Sequence, residues 1–160
     1  AADIAEQLVQ EPSKTRSILQ RLPVGAFSSE FASALLECVA KNGDAALLGT
    51  IYDHASKERT PILTTGYEAL LRVYSAAGDP RALDLLDDMI RVGAKPSEAI
   101  LTAVVSLCAE SRHIQMAEHA MAYARQAHGR VTLALYSAIM KVYSHARLWQ
   151  KTCDLYTMMK

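Results

Sequence analysis

The sequence is poor in the residues that interrupt helices and in those that build sheets. Only 5 of its 160 residues are proline and 7 are glycine, and aromatic residues make up 6%. Alanine and leucine recur throughout, and apolar residues rarely alternate with polar ones as they do in a strand. The composition therefore favours an all-helical domain.

Cysteine and long apolar runs are also scarce. Cys38, Cys108 and Cys153 are widely spaced and include no C-x-x-C pair, which excludes a disulfide framework and a zinc knuckle. Because each lies in an apolar helical pattern, we predict buried free thiols. No apolar run reaches 18 residues, and the N-terminus resembles neither a signal peptide nor a transit peptide. We expect a fragment of a longer protein, since the chain begins without Met and ends within a helical pattern.

No excess of one charge is present, because Lys plus Arg and Asp plus Glu each total 17. The distribution is uneven: residues 1–96 carry 10 basic and 13 acidic side chains, whereas residues 97–160 carry 7 and 4. Four of the five histidines also lie in the second segment. A contact with a polyanion is therefore expected there, although an ordinary solvated surface explains the imbalance about as well.

Turn residues recur at a fixed interval. A Gly-Asp pair begins at Gly43 and again at Gly78, and a proline follows each glycine by 18 residues, at Pro61 and Pro96. Both pairs are related by a shift of 35 residues. The glycine can adopt the left-handed conformation that ends a helix, and the aspartate can cap the next helix. Arg112 and Arg147 replace this glycine in later copies.

Two apolar stripes with helical spacing repeat between these turns. The first helix of each pair carries the sets Ala32, Leu35, Leu36 and Val39; Tyr67, Leu70, Leu71 and Tyr74; Leu101, Val104, Val105 and Cys108; Tyr136, Ile139, Met140 and Tyr143. The second helix carries the sets Leu47, Thr50, Ile51 and His54; Ala82, Leu85, Leu86 and Met89; Ala117, Ala120, Met121 and Ala124; Thr152, Leu155, Tyr156 and Met159. Because one hairpin cannot bury its own stripe, the hairpins must stack on their neighbours.

The predicted fold is an all-α, right-handed α-solenoid of stacked antiparallel helix hairpins with about four repeats. Its predicted divisions are a degenerate or capping hairpin at 1–28, three repeats at 29–63, 64–97 and 98–132, and a truncated fourth repeat at 133–160, all within one continuous domain. In the first of these, helices are expected at residues 2–10 and 13–22, broken at Pro12.

The repeat resembles that of the pentatricopeptide-repeat family. Thr65–Gly78 is similar to the consensus V-T-Y-N-x-L-I-x-x-Y-x-K-x-G, and Arg81–Met89 to E-A-L-x-L-x-x-x-M. Gly93–Ser97 is similar to G-x-x-P-D, and Leu135–Tyr143 is a second good match to the first helix. The Trp-x-x-Leu-Gly start of a tetratricopeptide repeat is absent.

The resemblance implies binding of single-stranded RNA in a mitochondrion or plastid, with about one base contacted by each repeat. In that family the fifth residue of the first helix and the last residue of the repeat contact the base. Carried over by position, the base-contact candidates are Ser33, Glu68, Thr102, Ser137, Ser97 and Thr132. If RNA is bound, the local basic excess supplies the phosphate-contact candidates, which are Arg130, Lys141, His145, Arg147 and Lys151.

Other chemistry finds little support in the residues. Phosphate-loop, zinc-protease and nucleophile-elbow motifs are absent, so we predict no catalytic residues, no metal and no cofactor. Asp84, Asp87 and Asp88 are expected to form a solvated face paired with nearby arginines. Trp149 is expected to be packed rather than to stack on a base. The alternatives to RNA binding are a protein-protein scaffold that holds a partner on the concave face or the outer helices, and an accessory domain of an enzyme.

Overall fold

The fold is described here by a computed structural model, which places residues 2–23 and 25–159. These residues form ten α-helices and one 3-10 turn, and none of them lies in a strand. The helices are α1 (Ala2–Gln10), α2 (Thr15–Gln20), α3 (Ser29–Ala40), α4 (Ala45–Lys57), α5 (Thr64–Ala76), α6 (Arg81–Arg91), α7 (Glu98–Ser111), α8 (Ile114–His128), α9 (Leu133–His145) and α10 (Trp149–Met158). The all-α prediction is confirmed. A bilayer-spanning helix, which would have to be longer and more apolar, is not found among the described residues.

The chain divides into two compact units, Ala1–Ala77 and Gly78–Lys160. We call them the N-terminal unit, which contains α1 to α5, and the C-terminal unit, which contains α6 to α10. In each unit, the first helices of successive hairpins pack directly against each other: α3 against α5, and α7 against α9. The second helices form a further layer in each unit, in which α4 packs against both α3 and α5, and α8 against both α7 and α9.

The N-terminal unit places α3 and α5 parallel to each other. The Ser33 hydroxyl accepts a hydrogen bond from the Leu63 N–H at 2.9 Å, and the Thr60 hydroxyl donates to the Phe27 carbonyl at 3.3 Å. Both bonds join the start of α5 to the start of α3. The contact is close because α5 carries Gly66 there: a Cβ atom at this position would lie 3.1 Å from the Cα of Ser33. The core between the helices is aliphatic and includes Leu35, Leu36, Leu70 and Leu71, all fully buried.

The boundary between α1 and α2 differs from its prediction. Pro12–Lys14 forms a 3-10 turn, so that α2 begins at Thr15 rather than at residue 13 and ends at Gln20. The Thr15 hydroxyl donates to the Pro12 carbonyl at 2.7 Å, which satisfies a polar group that would otherwise be buried without a partner. Proline therefore breaks the helix as predicted.

The C-terminal unit repeats the parallel arrangement. At one end, the Thr132 N–H donates to the Glu98 carboxylate at 2.7 Å, and at the other, Nδ1 of His145 lies 3.0 Å from the Ala109 carbonyl oxygen. These bonds connect the starts of α7 and α9 and then their ends. Aliphatic side chains fill the core of this unit, among them the fully buried Leu86, Met89, Leu101, Val104, Val105, Leu135 and Ile139.

The turns that follow the first helices use the conformation predicted for glycine. Gly43 and Gly78 have φ values of 70° and 69°, and the Asp44 carboxylate accepts hydrogen bonds from two N–H groups at the start of α4. Arg112 and Arg147 adopt the same left-handed conformation, with φ values of 57° and 58°. A side chain in that conformation costs about 1 kcal/mol relative to glycine. Both arginines therefore occupy positions where the local fold would favour glycine.

The cysteines are only partly as predicted. Cys108 is buried, and desolvation raises its pKa to about 11, so that its thiol stays protonated at neutral pH. Cys38 is half-buried and Cys153 is exposed. The prediction of burial is wrong for Cys153 because this residue lies on the face of α10 away from the buried Leu155.

Candidate nucleic-acid interface

The exposed faces of α7 and α9 form a strip of equivalent positions, which we call the α7/α9 strip. The N-caps of the two helices, Ser97 and Thr132, are 35 residues apart. The second, fifth and ninth residues after each cap are exposed or half-buried and do not belong to the core. The strip consists of Ala99, Thr102 and Ser106 on α7 and Ala134, Ser137 and Lys141 on α9. Five of these six side chains are small, so an extended ligand could approach the helices closely.

Four base-contact candidates lie on or beside the α7/α9 strip. Ser137 is exposed and Thr102 is half-buried, with its hydroxyl donating to the Glu98 carbonyl at 2.9 Å. Because a hydroxyl oxygen also accepts hydrogen bonds, Thr102 retains accepting capacity. Ser97 and Thr132 are the half-buried N-cap residues of α7 and α9. Each of the two helices thus carries a Ser or Thr both at its N-cap and at its fifth residue.

The two candidates in the N-terminal unit differ from these. Ser33 is 1% exposed, and its hydroxyl donates to the Ser29 carbonyl at 2.7 Å while accepting from Leu63. This hydroxyl holds α5 on α3 and is not presented to a ligand. Glu68 is half-buried on α5. Sequence position alone does not reveal the difference, because Ser33 is buried by the close approach at Gly66.

The five phosphate-contact candidates do not form one patch. Lys141 is exposed on the α7/α9 strip, one turn after Ser137. Arg130 precedes α9 by three residues. The hydrogen bond from Thr132 is the main reason that the pKa of Glu98 is lowered, and the charge of Arg130 contributes to it. His145 and Arg147 lie at the opposite end of α9 and line a shallow depression of about 680 Å³. Only Lys141 is therefore central to the strip.

Lys151 belongs to the layer of second helices. Its ammonium donates to the Glu118 carboxylate on α8 at 2.6 Å and lies 5.6 Å from the ring centroid of Tyr143. The Tyr143 hydroxyl also donates to Glu118, at 3.1 Å. Burial and then the negative charge of Glu118 raise the pKa of Tyr143 to about 12, and the hydrogen bond from Lys151 is the main reason that the pKa of Glu118 is lowered. The charge of Lys151 is thus already paired with a carboxylate of the protein.

We expect Lys151→Gln to lower the stability of the C-terminal unit by less than about 1 kcal/mol at pH 7, because both partners are partly exposed. A carboxyl group whose pKa is lowered by folding stabilises the fold above its unfolded pKa and loses this effect as the pH falls through its folded pKa. The difference between variant and wild type should therefore vanish in acid. Urea unfolding at pH 7 and at stepwise lower pH measures it, and a difference that persists when Glu118 is protonated would contradict the assignment.

Trp149 corrects a prediction made from the sequence. It is 61% exposed at the first position of α10 and lines the same depression as His145 and Arg147, so it is not packed in the core. Its position in the repeat is one that usually holds an apolar core residue, but the first residue of α10 lies at the surface. The described residues contain no group of three or more His, Cys, Asp or Glu side chains that could hold a metal ion. The expected pairing of the Asp84–Asp88 face is found between Asp88 and Arg91, at 2.6 Å.

First helices that recur every 34 or 35 residues, and that pack in parallel within each unit, define a helical-repeat protein. The sequence model of one family, the pentacotripeptide-repeat region of PRORP, matches residues 20–160. The chain belongs to this pentatricopeptide-repeat family, which confirms the resemblance inferred from the repeat.

Solved structures show the same fold. PRORP2, the nuclear proteinaceous RNase P 2 from A. thaliana, is similar over 82% of this chain and 30% of its own, with 20% identity and a TM-score of 0.69. The pentatricopeptide repeat protein PPR10, solved in complex with an 18-nt psaJ RNA element, is similar over 95% of this chain and 24% of its own, with 18% identity and a TM-score of 0.55. The chain thus spans less than a third of either protein. None of the curated protein sequences matches it significantly.

Proposed function

We propose that the protein is a single-stranded RNA-binding repeat module of a larger protein and that the α7/α9 strip is its RNA-binding surface. The observation that carries the proposal is the strip itself: small side chains leave room for nucleotides along two parallel helices, hydroxyl groups recur at equivalent positions, and one exposed ammonium lies among them. Membership of the family and the likeness to PPR10, whose structure contains RNA, support it.

Each side chain of the strip has a role that fits its chemistry. The ammonium of Lys141 is a point charge that suits a phosphate oxygen, and this contact would be weakened by salt. The hydroxyl of Ser137 can donate to or accept from a base edge, and that of Thr102 can accept. Ala99 and Ala134 provide apolar surface against the base plane. Base edges and phosphates would then be recognised on the same face.

Binding of a fluorescently labelled, random single-stranded RNA pool over a salt series tests this proposal. We expect binding that weakens steeply with salt, and Lys141→Gln should weaken it several-fold and reduce the salt slope by about 0.7. Lys151→Gln is a matched control that removes the same charge from the other layer, where Glu118 already pairs with it. Absence of binding at low salt, or equal effects of the two variants, would refute the proposed surface.

Catalysis and cellular location are properties of the longer protein to which this module belongs. We propose that the module contributes RNA binding and no catalytic residue, and that any catalysis belongs to a part of the parent outside this segment, as the ribonuclease PRORP2 suggests. An organellar location is implied by the resemblance, whereas PRORP2 is described as nuclear. Imaging of the tagged full-length protein would decide between the two compartments.

A further inference from the structure

The C-terminal unit has a basic depression at the ends of α7 and α9, away from the middle of the α7/α9 strip. It is lined by Ala109, Glu110, Arg112, Ser144, His145, Arg147 and Trp149. An adjoining hollow of about 410 Å³ shares Arg112, His145 and Arg147. Two guanidinium groups, one imidazole and the exposed ring of the chain's single tryptophan are therefore grouped there, with Glu110 as the only carboxylate in the lining.

The two arginines occupy equivalent positions. In each turn the N–H of the residue that follows the arginine donates back to the helix: His113 to the Cys108 carbonyl at 3.2 Å and Leu148 to the Tyr143 carbonyl at 2.8 Å. Arg112 and Arg147 lie between, in the left-handed conformation where Gly43 and Gly78 lie in earlier hairpins. Both turns therefore direct an arginine side chain to the same hollow at equivalent positions of the repeat.

The two guanidinium groups at this site form no ion pair with a carboxylate among the described residues. Other cations, such as those of Lys14, Arg91 and Lys151, are paired with carboxylates at 2.6–2.9 Å. Within the described part of the chain, neither Arg112 nor Arg147 has such a partner. His145 uses Nδ1 on the Ala109 carbonyl, which can only accept, so this nitrogen carries the proton and Nε2 remains for a ligand.

We propose that this depression is a second RNA contact, in which Arg112 and Arg147 bind consecutive phosphates and Trp149 stacks on an unpaired base. Guanidinium groups suit phosphate oxygens because their N–H groups form a planar fork, and an indole ring stacks on any base. The inference rests on the proposed RNA binding and places the strand across the helix-turn edge of the unit, in addition to the α7/α9 strip. The site selects for charge and an unstacked base rather than for sequence.

Tryptophan fluorescence with short single-stranded RNA tests the inference, because Trp149 is the only tryptophan. We expect the RNA to quench this fluorescence with the same affinity that a labelled RNA reports. Trp149→Leu should weaken binding by at least about fivefold. Arg112→Gly and Arg147→Gly should each reduce the salt slope by roughly 0.7 while leaving the melting temperature unchanged or higher, since glycine suits the conformation.

Arg59→Gly is the matched control. Arg59 is also left-handed, with φ of 53°, and the following Thr60 N–H returns to the Ala55 carbonyl at 2.9 Å, but it lies in the N-terminal unit outside the depression. We expect it to leave the salt slope unchanged. If RNA binds with the Lys141 dependence described above, yet fluorescence does not change and the three arginine variants behave alike, the depression is overturned while the proposed function stands. If no RNA binds at all, both are overturned.

Discussion

Leu70→Ala is expected to lower the free energy of unfolding of the N-terminal unit by about 2–5 kcal/mol. Leu70 is fully buried on α5, in the layer that packs against α3. The substitution removes apolar contacts and leaves a cavity that close-packed neighbours cannot fill. Since small domains are stable by only about 5–15 kcal/mol, such a loss would unfold a sizeable fraction of the protein under mild denaturing conditions.

Urea denaturation followed by circular dichroism measures the loss. Leu133→Ala is the matched control, because Leu133 is the same side chain on another first helix but is 69% exposed. We expect this control to change stability by less than about 0.5 kcal/mol. Equal losses for the two variants would contradict the burial of Leu70 between stacked hairpins.

The second large effect is expected for Gly66→Val. A Cβ atom at this position would lie 2.7 Å from Cγ2 of Ile62 and 3.1 Å from both Cα and Oγ of Ser33. Ile62 is a side chain that can shift, but the backbone of Ser33 cannot yield unless α5 moves away from α3. We expect a loss of about 1–3 kcal/mol, since the displacement also disrupts the hydrogen bond from the Leu63 N–H to Ser33.

Thr65→Val is the control for this substitution. It introduces the same side chain one residue earlier, on the exposed face of α5. Thermal melts of both variants should show a clear loss for Gly66→Val and almost none for Thr65→Val. A Gly66→Val protein as stable as the wild type would show that α3 and α5 are not held as closely as described.

Local pattern was sufficient to predict much of the fold. The apolar stripes gave the helices, and Gly43 and Gly78 gave the turns with positive φ, because a residue's place in a helix and its backbone freedom depend on neighbours in sequence. The left-handed conformation of Arg112 and Arg147 was not predicted. Arginine has no preference for it, and the repeat spacing was the one signal that could have indicated it.

The candidate site was harder to predict because its state depends on residues distant in sequence. Ser33 matches the position of a base contact, but its burial results from a glycine on the next first helix. Lys151 is one of several basic residues near the C-terminus, yet its partner Glu118 is 33 positions away in the chain. Trp149 follows the apolar pattern of the repeat but projects outward at a helix start. The position of a residue in the repeat predicts where on a helix its side chain lies. Whether that side chain is free to contact a ligand depends on how neighbouring repeats pack, which the sequence pattern does not show.

The bonds that join the starts of parallel helices have a consequence for folding order. Ser33 and Glu98 each accept a hydrogen bond from an N–H at the start of the next first helix, 30 and 34 residues later. A chain made from its N-terminus therefore presents each accepting side chain before the helix that needs it has been synthesised. Within each unit, the later first helix can therefore dock on the earlier one as it is made, so that pairing of the first helices follows the direction of synthesis.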